Sequence, residues 1–84
     1  MEFMIHATFR LQDQKEILPL LPQEQAAIKA LREQGIVEAL YISSDLSQVW
    51  IAMQGESQEQ VEKSLASLPL HRYMTVEMAP LSKM

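Results

Sequence analysis

A small antiparallel α+β domain of order β-α-β-β-α-β is the fold class this sequence predicts, on three observations. Residues 3–10, 36–43, 48–54 and 73–78 alternate apolar and polar side chains, the period of a strand covered on one face. Between them, residues 23–34 and the stretch from Val61 to Leu68 carry apolar residues at helical spacing. With 84 residues the chain has room for one domain, so these six elements must share one core.

Each element has its own local reasons. In the first strand Phe3, Ile5, Ala7 and Phe9 alternate with Met4, His6, Thr8 and Arg10. Residues 11–21 read as a connection punctuated by Pro19. Pro22 suits the first turn of a helix, where its missing N–H costs nothing. That helix runs over 23–34 with Ala27, Ile28 and Leu31 inward, and Gly35 is its left-handed stop. The second strand puts Leu40 and Ile42 on one face and Ala39 and Tyr41 on the other. A turn at 44–47 leads to the third strand, with Val49, Ile51 and Met53 opposite Trp50 and Ala52. Ser57 followed by Gln60 is a capping box for the second helix, and Pro69 ends that helix. The fourth strand alternates Met74, Val76 and Met78 with Tyr73, Thr75 and Glu77, and Pro80 is expected to stop it.

This order is the ferredoxin-like arrangement, with both helices on one face of a four-stranded antiparallel sheet. The other face then carries His6, Thr8, Tyr41, Trp50, Tyr73 and Glu77. An aromatic patch of that size usually meets a partner. Two such sheets face to face would enclose a mixed apolar and polar cavity suited to a small ligand.

Composition excludes several function classes. Eleven acids against seven dispersed bases give a net charge of −4, without the cationic cluster that nucleic acid requires. Two glycines leave no room for a phosphate-cradling loop. Without cysteine there is no disulfide, zinc-thiolate site or thiol nucleophile. Two histidines fall short of the three or four ligands of a zinc site. No apolar run approaches the ~18–20 residues of a membrane span, and residues 1–10 lack the pattern of a signal peptide. The expectation is a cytoplasmic protein.

The segment Ser67-Leu68-Pro69-Leu70-His71-Arg72-Tyr73-Met74-Thr75-Val76-Glu77-Met78 resembles the C-terminal signature of muconolactone isomerases. Leu31, Gly35, Leu40 and Ser57 extend the similarity upstream, and Thr8 and Leu11 carry it into the first strand. The resemblance implies protomers that pair through their sheets into a dimeric α+β barrel and assemble into larger rings. It also implies cofactor-free and metal-free proton transfer on a small carboxylated lactone, within aromatic-compound degradation. The family's helical Glu-Lys pair corresponds to Glu24 and Gln25, so the lysine is missing. Residues 37–42 lack the family's Trp, Arg and His, and His71-Arg72 replace its Phe-Pro.

Histidine titrates near neutrality, so His6 is a candidate acid or base, or else a hydrogen-bonded interface residue. Glu24 is the second catalytic candidate, or else a first-turn acid complementing the helix dipole. Tyr41, Trp50 and Tyr73 are candidate pocket walls or interface aromatics. His71 and Arg72 are candidates for carboxylate binding or a solvated turn, and Glu77 could orient His6. The reading is an isomerase-like protein for a small lactone or enol-like compound. A non-catalytic ligand-binding or assembly module is the alternative, and a cofactor-free oxygenase a third option.

Overall fold

A computed structural model describes residues 1–82 and 84, with Leu11 by its backbone alone. Strand β1 (Glu2–Phe9) is followed by the short helix α1 (Gln14–Ile17) and then α2 (Leu21–Glu33). Next come β2 (Val37–Ile42), β3 (Gln48–Gln54), α3 (Gln58–Ala66) and β4 (Met74–Leu81). The four strands form one antiparallel sheet in the order β2-β3-β1-β4. This is the ferredoxin-like α+β fold that the periodicity predicts.

The core lies between the sheet and the helices. Phe3, Ile5 and Ala7 of β1 and Val49, Ile51 and Met53 of β3 are buried with Val61, Leu65 and Leu68. Leu31 of α2 joins them, and Ala27 and Ile28 pack half-buried beside it. Gly35 ends α2 with φ +77°, the left-handed conformation that favours glycine. Ser57 caps α3 by accepting the Gln60 N–H at 3.2 Å. Gln60 returns its side-chain oxygen to the N–H of Glu56, one residue before the position a capping box uses.

Three features differ from the sequence expectations. The connection over 11–20 is helical: 3-10 turns at Leu11–Asp13 and Leu18–Leu20 flank α1, and Ile17 is buried. Strand β4 runs through Pro80, which pairs with Phe3. β4 is an edge strand, where a missing N–H can face outward without breaking the ladder. It begins at Met74, so Tyr73 closes a 3-10 turn with His71 and Arg72 instead of entering the strand. Strand β2 carries a register shift between Val37 and Ala39. Strict alternation puts Val37 with Tyr41 on the open face, but the irregularity turns it into the core, where it is 2% exposed.

The β2–β3 turn is held by Asp45. Its Oδ1 accepts the Ser47 hydroxyl at 2.7 Å, the Ser47 N–H at 3.0 Å and the Ser43 hydroxyl at 2.7 Å. These bonds, the Ser47 hydroxyl foremost, lower the carboxyl pKa to about 2. At the tip, Leu46 adopts φ +65°, a conformation unfavourable for a side chain with a Cβ.

Candidate functional site

The two faces of the sheet carry separate groups of polar and aromatic residues. On the open face, cross-strand pairing aligns Tyr41, Trp50, His6 and Glu77 in one row over all four strands. The His6 and Trp50 rings stack with centroids 5.2 Å apart and planes 11° from parallel. His6 Nε2 donates to Gln48 Oε1 at 2.9 Å, so the imidazole is fixed by a neutral partner. Glu77 stands opposite His6 in the register without an ion pair to it. Tyr41 is 67% exposed at the end of the row.

On the helix side, α3 seals one half of the sheet and α2 leaves the other half open as a cavity of about 560 Å³. Phe9, Leu40, Val49 and Ile51 form its floor, with Leu21 and Ile28 of α2 above and Leu70 and Met74 also lining it. Glu24 reaches into this space from the first turn of α2 and is 8% exposed. Its Oε1 accepts the N–H of Leu70 at 3.0 Å. Its other oxygen has no hydrogen-bond partner among the described residues and is not fully buried, and Glu24 lines the cavity. Burial pushes the Glu24 carboxyl above its ordinary value of 4.5, while the Leu70 N–H and the nearby charge of His71 offset part of the rise.

Glu24 and His6 therefore lie on opposite sides of the sheet and share no pocket within the protomer. The turn that carries His71 and Arg72 follows Leu70 directly. His71 is half-buried near Glu24, and the Arg72 guanidinium lies over the Tyr73 ring at 5.4 Å. The sequence reading placed the cavity on the open face and assigned no role to Lys29, Arg32 or Arg10, which line the helix-side space together with Gln25. Spacing was the available signal: positions 25, 29 and 32 recur at four and three residues, one stripe of a helix. Among the described residues no three His, Cys, Asp or Glu side chains gather to hold a metal ion.

The Leu-Pro-Leu turn that grips Glu24 is thus the structural counterpart of the most distinctive sequence signature. The profile of muconolactone delta-isomerase matches residues 1–84, the whole chain. The chain belongs to the muconolactone delta-isomerase family. No curated protein matches it. Among solved structures, it is similar to 5-chloro-2-hydroxyhydroquinone dehydrochlorinase from Burkholderia phenoliruptrix AC1100, solved in complex with 2,5-dihydroxybenzoquinone. The two share 13% identity and a TM-score of 0.83 over 98% of this chain and 94% of that one, a likeness of fold. No helix among the described residues of this isomerase-family protein is long and apolar enough to cross a membrane.

Proposed function

We propose that this muconolactone isomerase-like protein moves a proton within a small lactone or enol-like acid bound in the helix-side cavity, with Glu24 as the proton carrier. The observation that carries this reading is the split role of the carboxylate: Oε1 is anchored by Leu70, and Oε2 is left unpaired on a residue that lines an apolar cavity. A raised carboxyl pKa brings a base closer to the working pH, where general catalysis is most efficient. Glu24 takes a proton from the γ-carbon of the conjugated lactone as the C–H electron pair moves into a dienolate that ends on the carbonyl oxygen. The Glu24 carboxyl, which exchanges its proton with solvent, then protonates the carbon beside the carbonyl, restoring the carboxylate and leaving the double bond shifted. Gln25, on the same wall, offers amide N–H donors to the carbonyl.

The aromatic row on the open face supports a homodimer through the sheets, since exposed Tyr41 and the His6–Trp50 stack form a surface the helices do not cover. In this reading His6 is an interface residue and the protein works in the cytoplasm. Gln25 in place of the family's lysine favours a second reading, a ligand-binding protein without turnover.

Exchange decides between them. Carboxylated butenolides, muconolactone among them, are incubated with protein in deuterated buffer and followed by proton NMR. Deuterium entering the carbon beside the carbonyl supports proton transfer. Binding without exchange supports the second reading.

A further inference from the structure

The geometry points to a ligand larger than a six-carbon lactone acid: an anionic compound whose acid group sits at Lys29 and Arg32 and whose aryl- or alkyl-extended body fills the apolar cavity. This rests on reading the Glu24 cavity as the ligand site. Three observations carry it.

The first is size. A volume of about 560 Å³, at about 30 Å³ per liquid water, has room for on the order of fifteen to twenty non-hydrogen atoms. A six-carbon lactone acid has about ten and would leave a large apolar void, which forfeits dispersion contacts. The second is charge placement. Lys29 and Arg32 line the cavity and make no ion pair among the described residues, whereas Arg10 is engaged by Asp13 at 3.2 Å. Measured along α2, Lys29 and Arg32 lie about 7.5 Å and about 12 Å from Glu24 at 1.5 Å per residue. A ligand that meets both Glu24 and these cations must span that length of apolar wall. The third is the rim. Leu46 lines the cavity from a left-handed turn position that a glycine would occupy more easily, and it is 58% exposed. A strained, exposed leucine at the mouth is what an additional apolar contact requires.

Calorimetric titration of the full chain with benzoate, biphenyl-4-carboxylate and neutral biphenyl-4-methanol tests this. The biaryl acid is expected to bind at least about tenfold more tightly than benzoate, because it buries a second ring. Ile28→Phe, which narrows the cavity, is expected to remove that advantage. Lys29→Gln with Arg32→Gln changes exposed side chains only. It is expected to weaken the biaryl acid at least about fivefold and leave the alcohol unchanged. Equal affinity for benzoate and the biaryl acid overturns the inference, as does a biaryl affinity indifferent to the double glutamine variant. Preferred binding of the biaryl acid without proton exchange on any butenolide removes the catalytic reading and leaves this one standing. Exchange on the small lactone without preference for the larger acid does the reverse.

Discussion

The Glu24 carboxylate on α2 accepts the backbone N–H of Leu70, 46 residues later in the chain, at 3.0 Å. That bond ties the first turn of α2 to the Leu-Pro-Leu turn after α3 and fixes which carboxylate oxygen is left to the cavity. A buried hydrogen bond to a charged group contributes about 1.5–3 kcal/mol, which offsets part of the cost of burying the charge.

Stability should depend on pH through this residue. Below the ordinary value of 4.5 both folded and unfolded chains hold the Glu24 proton. As pH rises from there, the unfolded chain releases it first, so the folded state loses stability until the raised folded pKa is passed. Glu24→Gln keeps an acceptor for Leu70 and does not titrate. Its stability relative to wild type should therefore rise between pH 4 and pH 8. Urea midpoints at both pH values check this, and a pH-independent difference contradicts it.

Gly55→Ala should destabilise by about 1–3 kcal/mol through overpacking. A Cβ there would lie 2.7 Å from Val61 Cγ2, and Val61 is fully buried in the core. Chemical denaturation measures the loss, and a change under ~0.5 kcal/mol would show that α3 can shift at no cost.

Leu46→Gly should raise stability by about 1 kcal/mol by relieving the left-handed backbone, while weakening biphenyl-4-carboxylate binding by removing a cavity wall. Thermal melts and titrations on one preparation read both. An unchanged affinity would remove Leu46 from the site.

Trp50→Glu should turn a dimer into monomers. The proposed interface should bury more than about 1,000 Å² in total, and an unpaired charge at its centre is costly. Light scattering on wild type and variant decides it. A monomeric wild type at micromolar concentration contradicts the sheet-to-sheet dimer.

Most of the sheet was legible because β1 and β3 bury one face each, and a period of two survives intact in both. The turns of the helical connection were not, since Pro19 and Pro22 read as breakers although a 3-10 turn and a helix N-terminus both accept proline. The irregularity at Glu38 was invisible because it reverses the face of Val37 without any glycine to announce it. Of the candidate site, Glu24 was legible through the family's helical motif, and the adjoining Leu-Pro-Leu turn through its signature. The aromatic and polar residues of the open face pointed to a cavity between paired sheets, and the helix-side opening had no sequence signal of that strength. Leu40 and Phe9 are instead only half-covered, and the uncovered wedge draws Lys29 and Arg32 to its rim.

Glu24, and not His6, is the proposed proton carrier. Deuterium exchange into a carboxylated butenolide that the wild type turns over should be measured for wild type, Glu24→Gln and His6→Gln, with the oligomeric state checked for each. Proton transfer by Glu24 requires a loss of about 10²-fold or more in Glu24→Gln and exchange within a few-fold of wild type in His6→Gln. Near-normal exchange in Glu24→Gln, with exchange abolished in an intact His6→Gln assembly, would contradict it.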